Sequence, residues 1–192
     1  MIFYVTKETF ERYKLKMPHD MQSTKQASVA QGVIDKEAGD RFLEWGGKLF
    51  YFERRKCLQV SHFASKLTIF LIDIKVAELK NISGLFAAYM FDLYAGNEKI
   101  QILVEKYFEE HSTIAFAHIK DKSAISTLNR NQTFFLEDGN LLYNYVRNGI
   151  LRTRELNKDI NHSLFTRKVN GKTEYFEPVE LFAQRLEERY GQ

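Results

Sequence analysis

The sequence predicts an α+β fold: a small antiparallel sheet, built as a meander, packed by several helices and followed by a C-terminal helix-hairpin-helix extension. Three observations carry this expectation. Residues 48–52 and 56–63 are β-prone runs joined at Glu53-Arg54-Arg55, which is a hairpin arrangement. Residues 67–74 are apolar on both faces apart from Thr68 and Asp73, as expected of a central strand. From Ser83 onward the apolar residues recur mainly at helical spacing.

Residues 2–5 form a short β-prone run that can join the meander. Thr6 can cap a helix over 7–16, with Phe10 and Tyr13 on one side, and Pro18 ends it. Residues 19–40 are rich in Ser, Thr, Gln, Gly and Ala and show no clear period, so they read as a flexible or partner-ordered loop.

Ser83 can cap a helix through Tyr94 that is apolar all round and therefore buried, ended by Gly96-Asn97. Asn97 can cap the next, over 98–110, where Ile100, Leu103, Val104, Tyr107 and Phe108 form one stripe. Residues 113–119 suggest a strand. Asp121 starts a helix carrying Ile125, Leu128, Gln132 and Phe135 at helical spacing.

A soft boundary falls at Asp138-Gly139-Asn140, dividing a core over 1–138 from an extension over 139–192 packed on it. The extension reads as a helix from Leu141 to about Leu156, a hairpin turning on Asn170-Gly171, and a helix over 179–190 with Pro178 in its first turn.

Composition narrows the class. The chain has 192 residues with 16 Phe and 10 Tyr, so large side chains fill the core. The single cysteine, Cys57, allows no intrachain disulfide and suits a reducing compartment. No apolar run is long enough to span a bilayer, and Met1 opens no signal-peptide pattern, so the expected location is the cytoplasm. Net charge is +3, a weak tilt that admits partners of either sign.

Several segments together resemble a bacterial family, domain of unknown function 6933. They are the hairpin from Trp45-Gly46-Gly47 to Arg54-Arg55-Lys56, the apolar strand over 67–74, Leu79-Lys80-Asn81-Ile82, and Ser126-Thr127-Leu128-Asn129. The similarity covers roughly the first 135 residues; the polar stretch after Pro18 and the tail after Asp138 depart from the pattern. The resemblance implies a small cytoplasmic bacterial protein, often associated with mobile elements. It brings no activity and no catalytic residue.

The side chains themselves offer few reactive patterns. His19, His62, His111, His118 and His162 form no compact ligand spacing, so no metal site and no cofactor is expected. His111 reads as a helix-end histidine; His62 and His118, in separate strands, can be brought together only by the fold. Cys57 follows Arg55-Lys56, whose charges favour the thiolate, but its simpler role is a small strand residue. Trp45-Gly46-Gly47 lacks the following helix of a phosphate loop; it reads as a close backbone approach with Trp45 as a core anchor or a cleft wall. Asp73 in an apolar strand and Asp92 in an apolar helix are the acids a buried site would need, while Glu137-Asp138 reads as a helix exit.

Basic residues are more numerous. Arg54, Arg55 and Lys56 mark one hairpin tip. Arg167, Lys168 and Lys172 mark the other. Asn144, Arg147, Asn148, Arg152 and Arg154 decorate the helix expected over 141–156 and its exit. Arginine and asparagine are the side chains that grip phosphates and read base edges. The expected role is a non-enzymatic binding or regulatory module with a protein or nucleic-acid partner. The alternative is a metal-dependent hydrolase or nuclease whose acidic and histidine groups meet only in space. Oligomeric state is not encoded in these patterns.

Overall fold

Trp45 stands in a strand, Glu44–Phe52, that occupies the centre of the sheet. The computed structural model describes residues 1–137 and 141–191, the side chains of Lys80, Leu136 and Glu137 excepted. In chain order the strands are β1 (Ile2–Val5), β2 (Glu44–Phe52), β3 (Arg55–His62), β4 (Thr68–Leu71) and β5 (Ala115–His118). Two small ladders follow, β6 (Val146–Arg147) with β7 (Ile150–Leu151), and β8 (Phe165–Val169) with β9 (Lys172–Phe176). The helices are α1 (Lys7–Arg12), α2 (Thr24–Glu37), α3 (Ile82–Leu93), α4 (Glu98–Glu110), α5 (Lys122–Gln132), α6 (Leu141–Asn144), α7 (Thr153–Asn161) and α8 (Pro178–Tyr190).

The α+β class is as expected, and β2, β3 and β4 form the expected antiparallel meander. The sheet is larger than the meander, however. Its order is β4-β3-β2-β1-β5, and β1 pairs in parallel with both β2 and β5. A parallel neighbour needs a crossover, and residues 6–43 supply it. That requirement explains why residues 19–40 are not a loop. They form a 3₁₀ turn at Pro18–Asp20 and then α2, capped by Ser23 Oγ, which accepts from the Gln26 amide. Within α2 only Ala30 and Glu37 are buried, so its inward face is narrow and the sequence shows almost no stripe.

Helices cover both faces. Phe3, Trp45, Leu58, Val60 and Ile69 pack against α3, α4 and α8 in the larger core. Trp45 is fully buried, donates from Nε1 to the Tyr107 hydroxyl at 2.9 Å, and meets Phe86 edge-on. On the opposite face Phe50, Cys57 and Phe70 pack against Phe135, Leu142, Leu156 and Ile160. The glycine pair is consistent with this alternation. A Cβ on Gly46 would come within 2.9 Å of Phe63 and 3.2 Å of Leu128, and one on Gly47 within 2.8 Å of Val5. The pair therefore serves close packing on both faces of a continuous strand. Gly46→Ala is expected to lower stability by about 1–3 kcal/mol, the usual cost of overpacking, as read by urea denaturation.

The helix expected over 141–156 is broken. α6 ends at Asn144, and Asn148-Gly149 turns the β6–β7 hairpin with φ of 52° and 73°. An Asn-Gly pair suits both central positions of this turn, and it overrides an apolar spacing that happens to fit a helix. α7 then begins at Thr153.

α7 closes one end of the sheet. Its Asn157 and Asn161 face the outer edge of β4. Asn161 Oδ1 accepts from the Thr68 amide at 2.7 Å while its Nδ2 donates to the Thr68 carbonyl at 2.7 Å. Asn157 repeats the pattern on Phe70, at 2.8 Å and 3.3 Å. Four residues of helix rise about 6 Å and two residues of strand about 6.6 Å, so the two side-chain amides match the strand's own repeat.

Candidate functional site

The expected site residues divide into three groups. Among the described residues Trp45, Asp73 and Asp92 do not line one cleft together; Asp92 lines a small crevice with Tyr89 and Arg154. Trp45 lies in the core as an anchor. Asp73 is exposed beyond the end of β4, with φ of 54°, and not inside a strand. Asp92 is bound to Arg154 at 2.8 Å. The two acids have different neighbours, and among the described residues no three His, Cys, Asp or Glu side chains gather to hold a metal ion.

The histidines are equally dispersed. His62 is fully buried. Its Nε2 donates to the Phe42 carbonyl at 2.9 Å, and its Nδ1 accepts from the Ser65 amide at 3.2 Å. His118 is exposed on β5 with its ring 4.4 Å from that of Phe10. β1 and β2 separate the strands carrying this pair. His19 lies 3.5 Å from Asp20, and His162 lies 2.9 Å from Glu177. His111 does end α4, but it is buried rather than at the surface. Its Nδ1 meets Glu37 at 2.8 Å and its Nε2 meets the Tyr190 hydroxyl at 3.2 Å, while Glu37 also pairs with the Met1 amino group at 2.7 Å. Cys57 is buried, and burial pushes its thiol up despite the neighbouring cations. Glu137-Asp138 and the boundary at Asp138-Gly139-Asn140 lie outside the described side chains.

The basic residues divide into paired and unpaired. Arg154 is neutralised by Asp92, and Arg167 by Glu174 at 3.0 Å. Lys168 donates to Thr173 at 2.7 Å, beside Lys172 on a hairpin that leans on α5 through Arg130 over the Phe165 ring. Lys56 folds back to the Arg12 carbonyl. Arg54, Arg55, Arg147 and Arg152 are exposed and have no carboxylate partner among the described residues. Asn144, Asn148 and Arg152 share no helical face, because the chain turns at Asn148.

A different contact groups part of this set. Phe52, at the end of β2, packs its ring 5.2 Å from that of Tyr143 on α6. The β2–β3 turn with Arg54 and Arg55 is thereby held beside the segment carrying Asn144, Arg147 and Arg152. Glu53 and Arg54 occupy this two-residue turn with φ of 48° and 66°, a conformation that favours glycine. Arg147 is steadied by the carbonyls of Asn144 and Val146, at 2.7 Å and 3.1 Å. Tyr143 and Ile150 remain half or more exposed beside these cations.

A second feature has no counterpart in the expectations apart from His118. A crevice of about 380 Å³ lies over β1 and β5, between the carboxyl end of β5 and the amino end of β2. Arg41 crosses it, held by Glu44 at 3.2 Å and Asp121 at 2.6 Å, with its guanidinium 4.7 Å above the Phe63 ring. Phe63 stacks on Tyr4 at 5.7 Å, and the Tyr4 hydroxyl donates to Glu44 at 3.2 Å. Burial, followed by the charge of Glu44, pushes that hydroxyl up to about 12, so it stays protonated. The amide of Ala124, followed by Arg41, holds Asp121 below the usual carboxylate range. Gly46 lies directly across from Tyr4 in the ladder, and its missing side chain leaves room for the ring of Phe63.

These features define an α+β domain with helices on both faces of a mixed sheet, unpaired arginines at two turns and a crevice over two parallel strands. The chain belongs to the family described as a domain of unknown function (DUF6933), whose model matches residues 2–181. The match runs through the polar segment after Pro18 and the tail after Asp138, well beyond the first 135 residues in which the resemblance lies. No curated protein and no solved structure matches the chain. No helix among the described residues is long and apolar enough to cross a membrane.

Proposed function

We propose that the protein is a non-enzymatic binding module that grips nucleic acid through its two adjoining turns, β2–β3 and β6–β7. The contact between Phe52 and Tyr143 supports this reading, because it joins the end of β2, next to the turn of Arg54 and Arg55, to α6, next to the turn that follows Arg147, and the Tyr143 ring is half exposed there. Unpaired guanidinium groups bind phosphates, and an exposed aromatic ring gives a base a surface to stack on.

The test is fluorescence anisotropy with labelled single-stranded and duplex oligonucleotides across a salt series. Binding is expected to weaken with a log–log slope of about −3, as for roughly four phosphate contacts. The combined Arg54→Ala, Arg55→Ala, Arg147→Ala variant is expected to lose about tenfold or more in affinity and to show a shallower slope. Lys168→Ala with Lys172→Ala, on the separate hairpin, is expected to change little. No binding of either oligonucleotide below about 100 μM at low salt would remove the basis for this reading.

A further inference from the structure

We propose that the crevice beside β1 and β5 binds a small planar aromatic anion of nucleoside-monophosphate size. Its position is the first argument. β1 and β5 are adjacent and parallel, and their chains leave for opposite faces of the sheet. Phe10 and Tyr13, in α1 and just beyond it, join the core around Trp45, while α5 brings Leu128 over Gly46 on the other face. The crevice opens at this divergence over the paired Tyr4 and Ala117, and reaches the amino end of β2 at Arg41 and Glu44. The volume of about 380 Å³ lies in the range of small-molecule sites.

The chemistry of the walls gives the ligand class. Tyr4, Phe63 and the stacked guanidinium of Arg41 make a flat, π-rich wall for a planar ring. Both carboxylates in the crevice are already engaged. Glu44 accepts from Tyr4, Arg41 and the Gly39 amide, and Asp121 accepts from Arg41 and the Ala124 amide. At the rim, Lys120 has no carboxylate partner among the described residues, and His118 stands beside it. The groups left free to meet a ligand are therefore cationic or donating, which favours an acidic substituent on the ring.

Calorimetric titration of the whole chain with adenosine monophosphate, adenosine and inorganic phosphate tests the assignment. The monophosphate is expected to bind saturably, and each fragment about tenfold or more weaker. Lys120→Ala, at an exposed position, is expected to cost the monophosphate about tenfold while leaving adenosine unchanged. Tyr4→Leu is expected to weaken both. The Arg54→Ala, Arg55→Ala, Arg147→Ala variant is expected to bind the monophosphate like the parent, which separates this site from the unpaired arginines at the two turns. Absence of saturable monophosphate binding up to about 5 mM, equal affinity for adenosine, or indifference to Lys120→Ala would each overturn it.

Discussion

Asn161→Ala is expected to destabilise the fold by about 2–4 kcal/mol, and Asn157→Ala by a similar amount, because each change strips the partners from a buried backbone amide and carbonyl at once. The β3–β4 register turns the amide and carbonyl of Thr68 away from β3, and Asn161 meets both; the place of a strand beyond β4 is taken by the two asparagines of α7. Both asparagines are buried, Asn161 completely. A surface asparagine would cost a few tenths of a kcal/mol, so the size of the loss is diagnostic. Asn161→Asp keeps the acceptor for the Thr68 amide, loses the donor and buries a charge, so it is expected to be at least as harmful as alanine. Urea denaturation of the three single variants checks the prediction. Losses below about 1 kcal/mol would mean that water can serve the β4 edge as well as α7 does.

The second large effect is on pH dependence. His62 is held neutral, with its pKa brought down to about 3, first by burial. The hydrogen bonds suit the neutral ring. The carbonyl of Phe42 takes the Nε2 proton, and Nδ1 accepts from the Ser65 amide at 3.2 Å and meets the Ser65 hydroxyl at 2.8 Å, so the neutral ring is fully partnered without water. An unfolded histidine titrates near 6.5, so the unfolded chain takes up a proton that the folded chain refuses. The stability contributed by the neutral ring is full above pH 6.5 and is lost as pH falls from 6.5 toward 3. The loss is about 1.4 kcal/mol per pH unit, approaching about 4–5 kcal/mol at the lower end. Carboxylates add their own acid sensitivity, so the comparison must be with His62→Gln. The variant is expected to be less stable at pH 8 but to show a flatter decline between pH 6.5 and 4. Parallel declines in the two proteins would mean that His62 takes up a proton in the fold.

The parts of the fold written in local pattern were readable in advance. The Arg54 hairpin, the strand after Leu67, the stripe of α4, the Asn97 and Asp121 caps, the Asn170-Gly171 turn and the Pro178 start of α8 all rest on residues within a few positions of one another. What was hidden depends on distant partners. The parallel pairing of β1 with β2 and β5 joins segments about 40 and 110 residues apart, and nothing local marks it. α2 buries too little for a stripe to show, and the β6–β7 turn lay inside a spacing that also fits a helix. The crevice was invisible for the same reason. Tyr4, Arg41, Phe63 and Asp121 come from four stretches of chain, and each alone looks like an ordinary surface or strand residue. The basic residues were visible by type, but their division into neutralised and free groups depended on Asp92 and Glu174.

α8 has a consequence for how the molecule assembles. Phe182 packs against Trp45, Phe42, His62 and Tyr107, and Tyr190 reaches the group of Glu37 and His111 that also holds the Met1 amino group. α8, far along the chain, thus completes a core to which β1 also contributes. While the chain is being synthesised, α3 and α4 can cover part of the aromatic face of the sheet, and the part under Phe182 stays open until residues 178–190 emerge. Contacts of such long sequence separation make for slow closure and a prolonged need for protection from aggregation.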